Sequence, residues 1–454
     1  MRGGERRSPA RVLSLLDATA IVVGSVIGIG IFFTPAGVAD RLPSPAGILA
    51  VWVTGGVIAL LGALVFAELG AAMPAAGGPY VFLREAFGRL PAFLFGWVYS
   101  FVVTPGVLAV VLLVFARHIG VVVGNSSTGA EVALALVTLS ALAGTNLRGA
   151  RAGAVVQNAA TLAKLLALAA LMAIGLFFAS PSPSEATPAP AEAGVTAGGF
   201  GAALVFVLFS YGGWQVSTFV GGEIREPGRA LPRAIVSGVI LVCVVYVGAN
   251  LALLSLLSPE RIAASRTPAA DAVAVALGPA AGRLVAGAVA VSALGIANAV
   301  CLGNTRIAYA MAEDVRGLRF LGTLSSRGAP RAAIATQGLL GALLILYASL
   351  AGQGALDPLV DGVAFPDWLS FGAVGLAALV LRAKRPDLLR PYRAPAFPVL
   401  PLLFVAASVY AAASALRAHP VESLAVLAFT ALGALVFARF RADGGSSGAG
   451  SGPR

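Results

Sequence analysis

The sequence predicts an all-α polytopic membrane protein of about twelve transmembrane helices, and three observations predict it. The chain of 454 residues is 58% hydrophobic with a mean hydropathy of +0.91, and 11% of its residues are charged, against roughly 25% in soluble domains. Apolar segments of the length a bilayer demands, about 20 residues, recur along most of the chain. Basic residues fall unevenly between alternate loops, the pattern that sets membrane orientation.

Taken in order, the basic start MRGGERRSPAR precedes the first apolar segment, 15–37. It lacks a small-residue cleavage site in the right place, so 15–37 reads as a retained helix and 1–14 as a cytoplasmic N-terminal segment. Segments 46–70, 92–116, 131–147 and 154–179 follow. The stretch 181–198, PSPSEATPAPAEAGVTAG, is a Pro/Ala/Ser-rich outer linker that divides the chain after five spans. Five more come after it, at 198–220, 234–257, 282–308, 332–351 and 366–382, and two last ones at 398–416 and 421–438. These segments make 15–438 a single transmembrane domain with no room for a separate soluble one. The remainder, 439–454, ends in GGSSGAGSGPR and is expected to be a disordered cytoplasmic tail.

A net charge of +11 invites a nucleic-acid reading, but a chain without a soluble basic domain offers no surface for it. Orientation explains the charge instead. With both termini in the cytoplasm, Arg84, Arg89, Arg148, Arg151, Arg225, Arg229 and Arg233 share the inner side with them, whereas Arg41, Arg117, Arg261 and Arg266 lie outside. The whole bias is roughly four to one towards the inside. Cys243 and Cys301 fall inside spans and form no CxxC pair, and His118 and His419 sit at helix ends without carboxylate clusters. Neither a metal site nor a cofactor is expected, and no catalytic cluster is evident. Asn125-Ser126-Ser127 has the spacing of a glycosylation acceptor on an outer loop, a short and unspecific motif.

Two spans carry marks of interruption. Gly212 and Gly213 fall in the middle of the sixth, where each glycine costs a helix roughly 1 kcal/mol relative to alanine. The first contains Gly24-Ser25-Val26-Ile27-Gly28-Ile29-Gly30, three glycines in seven residues. Small residues four apart, such as Gly24 and Gly28, also suit plain helix packing. Interruption at corresponding places in two halves points further, to the binding site of a secondary transporter. Lys164 stands roughly two to three helical turns into the fifth span, too deep for easy snorkelling, and an ionisable residue there is a functional candidate.

The motifs GSVIGIGIFFTP in the first span, Pro105 and Ala109 in the third, and FSYGGW in the sixth occur in one order. Glu223, Pro227, Arg229, Pro232 and Arg233 follow, then SALGIAN and TRIAYAMAED in the eighth, and KRPDLLRPYRAPAFPVLP after the tenth. Over nearly the whole chain this resembles the amino acid–polyamine–organocation superfamily, and within it the L-type amino acid transporter family. Ile29 departs from that pattern, in which serine is usual.

The resemblance implies two inverted five-helix repeats, about 11–180 and 198–382, broken in their first and sixth helices, with two extra helices at about 398–438. It implies that backbone N–H groups of Ile29 and Gly30, beside Ile27 and Gly28, hold a substrate carboxylate. Carbonyls of Ile27, Phe209, Ser210 and Gly212 would hold the ammonium. It makes Phe209 an aromatic gate and Trp214 a brace for the broken helix. Lys164 would stand where sodium-coupled relatives hold sodium, near the carbonyls of Gly24 and Ile27 and the hydroxyl of Ser292. Glu223, Arg225 and Arg229 are expected to form an ionic network on the inner side.

The function implied is sodium-independent exchange of neutral L-amino acids across the plasma membrane by alternating access. Proton-coupled uptake and transport of cationic amino acids or polyamines are the alternatives, and the lack of an acidic residue in the broken segments weighs against cations. An integral-membrane enzyme would need facing clusters of carboxylate, histidine or serine, and a channel a repeated filter motif. Relatives with a heavy subunit join it through an outer-loop cysteine. The loop RHIGVVVGNSSTGAEV has none, so no disulfide-linked partner is expected.

Overall fold

Inside a bilayer every backbone N–H and C=O must find a partner within the protein, and a run of apolar residues meets that demand by coiling into a helix. In a computed structural model this happens from end to end, over the described residues 10–124, 127–178, 196–312, 314–351 and 357–440. Asn125 and Ser126 of the acceptor motif, most of the outer linker, and the start and tail of the chain lie outside them.

The helices run α1 Leu15–Val26, α2 Gly30–Arg41, α3 Pro45–Ala72, α4 Pro79–Phe87 and α5 Arg89–Val98. They continue with α6 Thr104–Val123, α7 Thr128–Leu147, α8 Ala150–Phe177, α9 Ala197–Ser210, α10 Val216–Phe219 and α11 Pro227–Leu256. Next come α12 Pro259–Ala264, α13 Pro268–Leu277, α14 Gly282–Gly303, α15 Thr305–Met311 and α16 Arg331–Ala351. The last are α17 Asp357–Lys384, α18 Val399–Ala418 and α19 Pro420–Phe440.

Among the described residues, ten helices are long and apolar enough to span a membrane. One bent pair, α1 and α2, makes an eleventh span with a 40° angle between its halves. The sixth sequence segment, 198–220, becomes α9 and the single turn α10, each too short to cross alone. Helices α4, α12 and α13 were not foreseen, because none has the length of a span by which the sequence was read.

Local chemistry fixes the ends and bends. Ser14 and Asp17 cap α1 reciprocally: the Asp17 N–H donates to Ser14 Oγ at 3.2 Å and the Ser14 N–H donates to Asp17 Oδ2 at 2.8 Å. The third span runs from Arg89 to Val123 as one helix with a π turn at Tyr99–Val103. Pro105 follows directly. It has no N–H for the carbonyl one turn earlier and its ring crowds that turn, so the wider π turn absorbs the misfit. The tenth span starts nine residues earlier than 366 and takes Pro366 into its interior.

The broken pair is central. Helix α1 packs on α8, α11 and α14, α2 packs on α9 and α12, and α11 lies along α3. At one end of the bundle Glu68, 3% exposed, joins α17 and the stretch that follows it. Arg382 donates to it at 2.8 and 2.6 Å, the Ala394 N–H at 2.7 Å, and Arg390 lies 3.4 Å away.

Candidate functional site

Helix α1 stops at Val26, the chain turns through Ile27, Gly28 and Ile29, and α2 starts at Gly30. The stop strands carbonyls at the end of α1 and N–H groups at the start of α2. Side chains from three other helices meet the carbonyls. Lys164 Nζ from α8 donates to Gly24 O and Ile27 O, each at 2.7 Å. Ser292 Oγ from α14 lies 3.2 Å from Ile27 O and 3.0 Å from Gly28 O, and the Tyr246 hydroxyl from α11 donates to Val26 O at 2.8 Å. Lys164 is 1% exposed, and its two charge-assisted bonds go to backbone, without a carboxylate partner among the described residues. Gly24 lets α8 come this close: a Cβ there would lie 2.2 Å from Gln157 and Thr161 side-chain atoms.

The N–H groups are mostly left open. The Gly28 N–H lies against the Tyr246 hydroxyl, and among the described residues no acceptor meets the N–H of Ile29 or Gly30. They face a cavity of about 240 Å³. Two orphan donors at a helix start, with its positive dipole end, form an anion-binding surface.

The second break borders the same cavity. Helix α9 ends at Ser210, and Tyr211–Gln215 form turns before α10. The Gly212 N–H donates to Phe209 O at 3.3 Å, the Val216 N–H to Gly213 O at 3.1 Å, and the Gly213 N–H to Gln215 Oε1 at 3.1 Å. Gly213 has φ +121°, and a Cβ there would lie 2.6 Å from Ser25 O, so glycine is required both by conformation and by the approach of the first span. Ser210 links the two breaks: its hydroxyl donates to Thr34 Oγ1 at 2.7 Å, and its carbonyl accepts from Tyr246 at 3.1 Å.

The sequence candidates thus fall into two groups. Gly28, Ile29, Gly30, Phe209, Ser210 and Gly212 line the cavity. Ile27, Gly24, Lys164 and Ser292 lie behind it. Ile27 belongs to the lysine and not to the cavity: its carbonyl takes bonds from both Lys164 and Ser292. Phe209 is 48% exposed in the cavity wall. Trp214 is fully buried against Phe66, Phe371 and Phe404.

One expectation needs correction. Glu223 does not pair with Arg225 or Arg229; it pairs with Arg306, Nε to Oε1 at 2.7 Å, and both side chains are buried. The two residues are 83 positions apart, so spacing gave no hint of the contact, and a buried guanidinium needs a carboxylate more than an exposed one does.

Polar residues of the cavity wall were missed: Asp367, Tyr99, Gln215 and Asn304. Asp367 of α17 accepts a hydrogen bond from the Tyr99 hydroxyl, and Gln215 is within reach of the same hydroxyl. Pro105 was the available sign of the π turn that carries Tyr99. Asp367, an acidic residue in an apolar span, was itself a signal. No group of three or more potential metal-binding side chains occurs among the described residues.

A family model described as an amino acid permease matches residues 13–437. The chain is 31% identical over 434 residues to a b(0,+)-type amino acid transporter 1 of Mus musculus, covering 94% of this chain and 86% of that one. It is 30% identical over 409 residues to a serine/threonine exchanger of Bacillus subtilis (strain 168), covering 89% and 91%. It is 31% identical over 420 residues to a large neutral amino acids transporter small subunit 2 of Mus musculus, covering 88% and 76%.

Proposed function

The chain belongs to the amino acid permease family, and from that premise we propose that it carries neutral L-amino acids across the plasma membrane by sodium-independent exchange. The observation that carries this reading is the pair of unpartnered N–H groups of Ile29 and Gly30, at a cavity that the second helix break also borders. An α-amino acid loses water from both its carboxylate and its ammonium when it binds. The N–H groups replace water at the carboxylate, and the carbonyls of Phe209, Ser210 and Gly212 do so at the ammonium. Ile29 keeps the N–H that the carboxylate needs and changes only the side chain beside it.

Lys164 supports the sodium-independent part. Its ammonium already gives the end of α1 the positive charge that a bound cation would bring. Alternating access would proceed by movement of one five-helix half, 11–180, against the other, 198–382, around the fixed site. The charge bias of the loops supports cytoplasmic termini, and the absence of cysteine in the loop after the third span supports a carrier without a disulfide-linked heavy subunit. Substrate is moved and not transformed, so no cofactor has a role.

One observation favours a second reading, cationic substrates: Asp367 lies in the cavity wall. The two breaks themselves hold no acidic residue, and this carboxylate comes from another span.

The test is uptake of labelled alanine, serine or leucine into proteoliposomes, with and without amino acid inside and with and without sodium. Uptake stimulated by internal amino acid and indifferent to sodium is expected. Amino acid amides and decarboxylated amines should not compete, because each leaves a buried polar group of the site unpaired at a cost of about 1–3 kcal/mol. Strict sodium dependence, or full competition by amides, would overturn the reading.

A further inference from the structure

The transport reading uses the backbone of the two breaks and leaves the Asp367 carboxylate without a task. Among the described residues it accepts one hydrogen bond, from Tyr99, and no lysine or arginine lines the cavity. Most of the wall is apolar, including Val103, Val107, Ile296, Val300, Trp368 and Phe371. The carboxylate thus has one oxygen engaged and the other without a donor among the described residues.

Its presentation is built from three elements. Gln215 fixes the turn at the second break through the Gly213 N–H and lies beside the Tyr99 hydroxyl. Tyr99 starts the π turn of the third span, and a π turn shifts the register of the side chains that follow it. Tyr99 in turn donates to Asp367, next to Pro366 in α17. A salt bridge within the protein would have closed the carboxylate. Tyr99 orients it and leaves its charge available to the cavity.

We propose that Asp367, oriented by Tyr99, is the side-chain subsite of the transporter, and that it accepts a hydrogen bond from a donor group on the substrate side chain. The backbone site reads what all α-amino acids share, and Asp367 reads what distinguishes them. The substrates favoured are those with a hydroxyl or ammonium within reach of the carboxylate, over aliphatic ones of similar size. This rests on the transport reading above and names the substrate class of the same site.

The experiment measures competition against labelled L-alanine uptake by the full chain in proteoliposomes. Two pairs of competitors are used: serine against alanine, which differ by a hydroxyl, and lysine against norleucine, which differ by an ammonium. The native protein should favour the donor-bearing member of at least one pair by about tenfold, the worth of a hydrogen bond to a charged group. The pair that responds identifies the donor. Asp367→Leu should bring that ratio close to one. Asp367→Asn, which keeps an acceptor oxygen and loses the charge, should abolish a lysine preference and retain part of a serine preference. Tyr99→Phe should lower the ratio by a smaller factor.

Ratios are read because a general loss of transport cancels from them. If Asp367→Leu does not fold, the Asn variant decides. Equal ratios in the native protein and both variants would overturn the proposal, as would a native protein indifferent to both donors. Loss of pH-driven accumulation in Asp367→Asn with the ratios unchanged would assign Asp367 to proton movement and overturn it too. Native protein that takes up no amino acid at all would overturn the transport reading itself, a result separable from each of these.

Discussion

The two helix breaks border one cavity but are held in different ways. At the first, Lys164, Ser292 and Tyr246 reach in from three other helices to hold the carbonyls of Gly24, Val26, Ile27 and Gly28. At the second, the chain mostly holds itself, through turns closed by Phe209, Gly213 and Gln215, with Tyr246 as the side chain common to both. A break clamped from outside cannot change shape without stripping buried carbonyls of their donors. A break closed by its own turns can trade one turn for another at little cost. On the function proposed, the first break would serve as a platform for the carboxylate, and the second as the part able to move.

The largest effect is expected from removing the clamp. Lys164→Ala strips a charged donor from Gly24 O, which is left without one, and from Ile27 O, which keeps only Ser292, at about 1–3 kcal/mol each, so uptake should fall by about a hundredfold. Binding, measured separately on purified protein, should fall much less, because the lysine lies behind the cavity. Unchanged uptake by the alanine variant would remove the distinction between the breaks.

Next comes the second break at its tightest point. In Gly213→Ala the left-handed backbone is strained by about 1–3 kcal/mol, and the new methyl group meets Ser25 O. Transport should drop by about tenfold to a hundredfold, with a lowered melting temperature in detergent. A variant with native stability and transport would show that the second break is looser than its geometry implies.

Phe209→Ala should slow exchange by about tenfold while changing binding by less, since a gate acts when the carrier closes over its substrate and turns. Normal exchange rates in folded protein would reduce Phe209 to packing.

The smallest effect belongs to Ser292→Ala. Lys164 still holds Ile27 O, so the loss is close to one neutral hydrogen bond, about 1 kcal/mol, or roughly fivefold in uptake. If this variant proved as damaging as Lys164→Ala, the clamp would have to be regarded as one inseparable unit.

Glycine clusters and a charge in an apolar run made the breaks and Lys164 legible, because each contradicts the local rule for a membrane helix. The breaks were read from single residues, and so was the polytopic architecture from runs of residues. What could not be read were partnerships. Glu223 meets Arg306 only through the packing of distant segments, and Ile27 turns its carbonyl to the lysine only because α8 lies behind it. Asp367 was legible in principle. It lies outside the two broken segments, and the cavity wall is drawn from a third and a tenth span as well.

Glu68 ties the finished bundle to the order in which it is made. Its carboxylate leaves the ribosome 314 residues before Arg382 and 326 before the Ala394 N–H. Through most of synthesis α3 therefore carries a carboxylate whose protein partners do not yet exist, and it must stay in contact with water at the membrane surface until they arrive. Burying it alone would cost several kcal/mol. The closing of that end of the bundle is thus reserved for a nearly complete chain. A chain that stops short of residue 382 keeps the end open, with an unpaired acid as the mark of its incompleteness.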